Sequence, residues 1–386
     1  MFRLDDPFRR ALCAIAALFC CLGFQYATWT ARLPQLKHDL GLNAAEVGLL
    51  LMAAGVGAAV SFPLVAVLMR RLGSHRLAPL AALGLAAALL ALAAAPNYPA
   101  ALAVMCVDGV LVGCLNVAMN AQGAALEAAH ERTAMARLHA VFSGGSLCAA
   151  LLASATHALT PSVAAHFTVA AVLLLALVAF AAPRLLREDA APTAEPKAER
   201  VRGGRRLPTA MTLWMCCAMV FGTITEGAMN DWSALYMTDV THAAAEIAPL
   251  GIAVVSGMMV VARLFADGWR SRFGDGRVVR VGSTVAGVGL ALALLSGGVL
   301  PALLGFACVG LGVAAVTPCV YVAAARQGSD ALTLVAAMGT TGLLAGPPLI
   351  GFLAGAAGLV WGMSAVAASA LVVAVCATRI RWQRPA

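Results

Sequence analysis

Twelve blocks of about 20 predominantly apolar residues follow one another along this chain, at roughly 11–31, 46–68, 77–95, 100–126, 138–158, 162–182, 209–231, 246–266, 278–297, 300–325, 332–356 and 359–378. Each is long enough to cross a hydrocarbon core of ~30 Å as a helix. In lipid every backbone polar group must be satisfied within the protein, so a spanning chain is either helical or a closed barrel. Strand-length alternation is absent, which excludes the barrel. The composition agrees: 62% of residues are hydrophobic and 11% charged, against about 25% charged in soluble domains. The expected fold class is an all-α membrane protein with twelve transmembrane helices.

The net charge of +8 reads as topology. If the N-terminus lies inside and the spans alternate, every Lys and Arg falls inside except Arg32 and Lys37. That asymmetry is the positive-inside rule, and it predicts a multi-pass protein of the cell inner membrane with both termini cytoplasmic. Nucleic acid is not an expected partner, because no soluble basic face is present. The 11 Cys all lie within expected spans and form no Cys-x-x-Cys pair, so neither a disulfide framework nor a metal site is expected. No Gly-x-x-x-x-Gly-Lys-[Ser/Thr] loop occurs, so ATP drive and a bound cofactor are not expected.

The chain repeats itself. Trp29-Thr30-Ala31 closes span 1 and Trp232-Ser233-Ala234 closes span 7; Arg71-Leu72-Gly73 with Arg76 follows span 2, and Arg272-Phe273-Gly274 with Arg277 follows span 8. The offsets, 203 and 201 residues, are nearly equal. Two six-span halves are therefore expected, 1–182 and 209–386, pseudo-symmetric and joined by a polar, Pro-containing cytoplasmic linker over 183–208. Paired halves of this kind characterise secondary transporters, in which one half rocks against the other.

The segments WTARLPQLKHDLGL (29–42), MNAQG (119–123), RLHAVFSGG (137–145), EGAMNDWSALYM (226–237) and GPPLIGFLAG (346–355) carry a resemblance to a known family. The chain resembles the major facilitator superfamily, and within it the bacterial YbjJ/MosC-like group related to fucose permeases. That resemblance implies the major facilitator fold, with spans 1, 4, 7 and 10 lining a central cavity. It also implies a monomer that transports a small-molecule substrate, a sugar, a polyol or a similar metabolite, by symport with protons. Export of a metabolite or drug, and a sensor that no longer transports, are the alternatives. The drug-exporter motif is not matched, because Gly144-Gly145 in span 5 lacks its Pro. The family's loop motif after span 2 is also altered: Arg70, Arg71, Gly73, Ser74 and His75 fill its frame and its acid is missing. In the second half Ser271 holds the acid position and Asp267 lies one turn after Arg263. The resemblance thus makes Arg71, Gly73, Arg263, Asp267, Arg272 and Gly274 the gating candidates, although arginines at these places also serve as topology anchors.

Polar residues within spans nominate the site, since hydrogen-bonding groups avoid lipid. Span 4 carries Asp108, Asn116 and Asn120 within about 120° of one another at 100° per residue, and Gln122 beyond them. In span 1 Gln25 and Trp29 share a face at i,i+4, an amide beside an aromatic that suits the hydroxyl edge and apolar face of a sugar ring. Span 10 offers Thr317 and Tyr321 around Pro318, whose ring is expected to break a backbone bond. Span 7 carries Glu226, then Asn230, Asp231 and Trp232. A charge at a helix centre in a bilayer costs about 2.5–3.5 kcal/mol on insertion scales, so Glu226 requires a reason. Counted from Thr209, Glu226 is expected in the outer third of the span, where it either pairs with Arg32 or takes up and releases a proton. Asp108 is the second proton-coupling candidate.

Overall fold

The computed structural model describes residues 6–187 and 208–382, apart from the side chains of Ala136 and Asp267. The described residues hold no strand. The first half comprises α1 (Pro7–Thr30), α2 (Leu33–Asp39), α3 (Ala44–Leu72), α4 (Ser74–Ala93), α5 (Tyr98–His130), α6 (Met135–Leu159) and α7 (Val163–Ala181). The second comprises α8 (Ala210–Asp239), α9 (Leu250–Phe273), α10 (Asp275–Ser296), α11 (Val299–Val313), α12 (Val316–Ala325), α13 (Ser329–Ala357) and α14 (Leu359–Arg379).

Every expected span is helical. Eleven segments are long and apolar enough to cross a membrane. The eighth span is α9, whose apolar part is Leu250–Ala266 and whose last turn carries Arg270 and Arg272. The tenth span is α11 and α12 together, broken between Val313 and Val316. Pro318 accounts for the break: it has no N–H to offer the carbonyl of Ala314, and its ring crowds that carbonyl. Pro347 and Pro348, by contrast, lie inside an unbroken α13. The expected linker falls mostly outside the described residues. Its first residues are held by Gln122, whose Nε2 donates to the Leu186 carbonyl at 2.8 Å while its Oε1 accepts from the Leu186 N–H at 2.9 Å.

The chain divides by contacts into two units. One comprises residues 1–29, 53–149 and 162–207; the other comprises 30–52, 150–161 and 208–386. In the first, α4 packs against α5 and α7; in the second, α8 packs against α13 and α14, and α10 against α11 and α14. The second unit thus takes in the ends of α1, α3 and α6 that lie farthest from the arginine-rich loops. There α3 meets α13 backbone to backbone: a Cβ on Gly351 would stand 2.8 Å from the Ala44 carbonyl oxygen and from the Gly48 Cα.

The internal repeat is visible in two turns. Gly73 (φ +70°) links α3 to α4, and Gly274 (φ +79°) links α9 to α10. Each closes the preceding helix, Gly73 N–H donating to the Met69 carbonyl at 3.0 Å and Gly274 N–H to the Arg270 carbonyl at 2.9 Å. With ψ of 162° and 150° both turns lie in the extended positive-φ region that is essentially confined to glycine, and holding an L-residue there costs of order 1–3 kcal/mol. Gly73→Val and Gly274→Val are therefore each expected to lower the Tm of the purified protein, while alanine at Gly144, inside α6 where a Cβ meets nothing within 4 Å, is expected to hold or slightly raise it.

Candidate functional site

Two site candidates of the second half, Glu226 and Asn230, sit on α8. This helix has 30 residues, about 45 Å at 1.5 Å per residue, and outruns the ~30 Å hydrocarbon core. It does not end where the apolar run ends. Asp231, Trp232, Ser233 and Tyr236 are all buried, and they carry the helix on to Asp239. Glu226 consequently lies mid-helix, about 24 Å from one end and about 20 Å from the other. Trp232 is buried in the protein, and Glu226 keeps the distance from the Thr209 end of the helix that the sequence count gives.

Glu226 does not pair with Arg32. Its Oε1 accepts from Arg263 Nη2 at 3.2 Å, and the two side chains are 27% and 22% exposed. Arg263 is itself about 20 Å along α9 from Leu250. Its neighbours Leu264 and Phe265 are 69% and 58% exposed, so α9 turns an apolar face outward and Arg263 toward α8. Arg263, a gating candidate within the expected eighth span, thus meets Glu226; the side chain of Asp267, one turn on, lies outside the described residues. Asn230 contributes to the backbone, its Nδ2 donating to the Glu226 carbonyl at 3.0 Å. Tyr321 is half-buried on α12, just beyond the break. Arg32 is fully buried and donates through Nη2 to Thr156 Oγ1 at 3.1 Å. Burial pushes its guanidinium pKa down to about 10, which leaves it charged at neutral pH.

In the first unit, Gln25 Nε2 donates to Asp108 Oδ1 at 2.7 Å, and both side chains are buried. This bond joins α1 to α5. Gly109 follows Asp108 and lets α5 approach α3 so closely that a Cβ there would sit 1.8 Å from the Ala54 carbonyl oxygen. Trp29 is buried with its ring edge 5.4 Å from Tyr26, centroid to centroid. Among the described residues, Gln25 Oε1 and Trp29 Nε1 have no hydrogen-bond partner. Asn116 is exposed and Asn120 half-buried. Asn120 Nδ2 donates to the Asn116 carbonyl at 2.7 Å and to its Oδ1 at 3.0 Å. The stripe on α5 therefore has two levels about 12 Å apart, a buried acid braced by Gln25 and an accessible pair of amides. Gln122 leaves the stripe for the Leu186 backbone and Ser74 Oγ.

Of the gating candidates, Arg71 is exposed, and exposed Arg272 stacks its guanidinium 5.3 Å from the Phe273 ring centre. Gly73 and Gly274 occupy the matched turns described above. The second unit also holds contacts that the residue-by-residue reading missed. Lys37 on α2 pairs with Asp239 at the end of α8, and Ser154 Oγ donates to the Glu246 carbonyl. A cavity of about 200 Å³ lies beside the pair, lined in part by Val47, Trp232 and Ala354. The signal was present: Lys37 is one of only two cations that depart from the charge asymmetry.

The apolar helices and the paired glycine turns define an all-α membrane protein of two related halves. The chain belongs to the Major Facilitator Superfamily, whose family model matches residues 14–329. It is 32% identical over 369 residues to an uncharacterized MFS-type transporter of Yersinia pestis, covering 94% of each chain. It is 29% identical over 379 residues to the membrane protein MosC of Rhizobium meliloti, covering 95% of this chain and 88% of that one. Two solved structures share the fold. The nucleoside transporter NupG superposes with a TM-score of 0.72 at 15% identity, covering 97% of this chain and 98% of its own. The E. coli fucose:proton symporter FucP gives 0.63 at 17% identity, covering 97% and 99%.

Proposed function

We propose that this chain is a proton-coupled secondary transporter that carries a small polar solute, of the sugar or polyol kind, across the cytoplasmic membrane by alternating access. It works as a monomer with both termini cytoplasmic. The observation that carries this reading is the Glu226–Arg263 contact, an acid and a guanidinium facing each other halfway along two membrane helices. Ionisable groups at that depth are costly, and they mark ion and substrate paths. Protonation of Glu226 removes its charge from Arg263 and loosens the contact; deprotonation restores it. A contact that alternates in this way ties a conformational step to proton entry without any nucleotide site. Asp108, braced by Gln25, is the second acid of the cycle.

The solute-binding candidates are Gln25, Trp29, Asn116 and Asn120 in the first unit, and Asn230 and Tyr321 in the second. These amides and aromatic rings suit hydroxyl edges and an apolar ring face. Gln25 Oε1 and Trp29 Nε1 are buried polar atoms without a partner among the described residues, which a solute hydroxyl satisfies once a conformational step exposes them. Arg71, Gly73, Arg272 and Gly274 act at the turns about which the helix pairs move. Two proteins with the same fold, a nucleoside transporter and a fucose:proton symporter, agree with a polyhydroxylated solute and, for the second, with protons.

The test is uptake by the purified chain in proteoliposomes under an imposed pH gradient, across labelled sugars, polyols, nucleosides and amino acids. At least one polyhydroxy solute is expected to accumulate and to be released by a protonophore. Accumulation that ignores the pH gradient overturns proton coupling. A solute that raises the Tm but is never moved makes the chain a sensor. The orientation has its own test, thiol labelling of single cysteines in a background without native Cys. A cysteine at Asn97 is expected to react from outside. One at Thr193, which lies outside the described residues, is expected to react only from inside. Reaction of both from one side overturns the twelve-span arrangement.

A further inference from the structure

A second, separate cavity opens on α10. It has a volume of about 360 Å³, within the ~300–1,000 Å³ typical of small-ligand pockets, and is lined by α9, α10 and α11. Its long wall is Arg277, Val278, Val281, Gly282 and Val285. Arg277 to Val285 spans about 12 Å along the helix, so the space is an elongated groove. The floor exists because two glycines meet there: a Cβ on Gly312 would stand 2.1 Å from the Gly282 carbonyl oxygen. The rim is apolar and open, with Val281, Val285 and Phe273 at 52%, 40% and 41% exposure.

One end of the groove differs from the rest. Arg277 is exposed there and Trp269 lines the same mouth, stacked on Phe265 with ring centroids 6.0 Å apart. Four Arg stand against two Asp between residues 267 and 280. Asp275 is engaged by Arg270 at 2.8 Å. A cationic mouth, an indole at its edge and an apolar channel behind are the inverse of a phospholipid's own layout. Basic pockets between membrane helices on the cytoplasmic side take anionic headgroups, and Trp prefers that interfacial level.

We propose that this groove is a specific site for an anionic phospholipid, with the phosphate on Arg277 and one acyl chain laid along Val281 and Val285 over the Gly282–Gly312 floor. The site sits on the turn that contains Gly274, so an occupied groove braces α9 against α10 beside a gating candidate. The assignment to the anionic leaflet rests on the proposed orientation. Binding measured in detergent does not depend on it, so a failed topology and a failed lipid site give different results.

The experiment uses the full chain, purified in neutral detergent, with thermal unfolding and native mass spectrometry as readouts. The probes are dioleoyl-phosphatidylglycerol, dioleoyl-phosphatidylcholine and inorganic phosphate at matched concentrations. A ligand that binds only the folded state raises its apparent stability. Phosphatidylglycerol is expected to raise Tm by several degrees more than phosphatidylcholine and to appear as one retained lipid per chain. Arg277→Gln is expected to erase that excess while keeping the response to phosphatidylcholine. Val281→Trp, which fills the channel, is expected to diminish the response to both lipids. Arg326→Gln, in a different loop, is expected to preserve the excess. Equal responses to the two lipids in the parent chain overturn the proposal. So does an excess that survives Arg277→Gln, an equal effect of inorganic phosphate alone, or a dimer that covers the groove.

Discussion

Glu226→Gln is expected to abolish proton-driven accumulation, at least ~10-fold, while exchange of pre-loaded solute continues. The amide is nearly isosteric with the acid. Its carbonyl oxygen still accepts from Arg263 Nη2, which lies 3.2 Å from Glu226 Oε1, and the backbone carbonyl still receives Asn230. The variant should therefore insert, fold and bind. It lacks only a group that gains and loses a proton. If Glu226 supplies the coupling, the pH dependence of binding flattens and the gradient no longer drives uptake. Exchange needs substrate-bound transitions alone, so it survives. Accumulation at the parent rate would make the Glu226–Arg263 contact a packing device, and the coupling role would pass to Asp108. The parallel variant Asp108→Asn separates these cases. It keeps an acceptor for Gln25 Nε2, whose bond to Asp108 is 2.7 Å long, and it is expected to fold and to impair transport. Normal transport by Asp108→Asn would mark that buried acid as helix-to-helix glue, worth about 0.6 kcal/mol per bond.

Most of the fold was legible because its causes are local. Twenty apolar residues must span as a helix, and the charge bias orders the loops. The matched tripeptides around Gly73 and Gly274 exposed the repeat because both turns need the same positive-φ backbone, a requirement written into the residue type. Pro318 announced the break between α11 and α12 for an equally local reason. Partners were less legible than positions. Asp231 and Trp232, which read as the close of a span, are buried against other helices. Arg263 stands out locally only as an arginine near the close of an apolar run, and the tertiary fold alone brings it to Glu226. The Gln25–Asp108 bond, between residues 83 positions apart, was beyond any local pattern, although each residue alone was conspicuous for being polar in a span.

Gly351→Leu is expected to stop transport by forcing α3 and α13 apart where Gly351 meets Ala44 and Gly48. The contacts beside that seam are individually weak. Lys37–Asp239 is a partly exposed pair, worth about 0–1 kcal/mol. The Ser154 hydroxyl on the Glu246 carbonyl adds about 0.5–1.5 kcal/mol. Contacts that weak part readily, as the proposed alternating access needs, and glycines let α3 and α13 touch beside them. At Gly351 a Cβ would be 2.8 Å from the Ala44 carbonyl oxygen and the Gly48 Cα, both backbone atoms that cannot swing aside. At Gly355, one turn on, the nearest atom to an added Cβ is the Ala45 Cβ at 3.6 Å, an ordinary van der Waals contact. Gly355→Ala is therefore the matched control and should transport normally. In Gly351→Leu, a cysteine placed at Val47, fully buried in the parent, should become reactive to an impermeant thiol reagent, and net uptake should fall at least ~10-fold. Asp239→Asn, which removes only the charge, should change uptake much less. Parent-level uptake by Gly351→Leu with the Val47 position still protected would mean that the α3–α13 seam yields to a side chain, and that closure is held by something other than glycine contact.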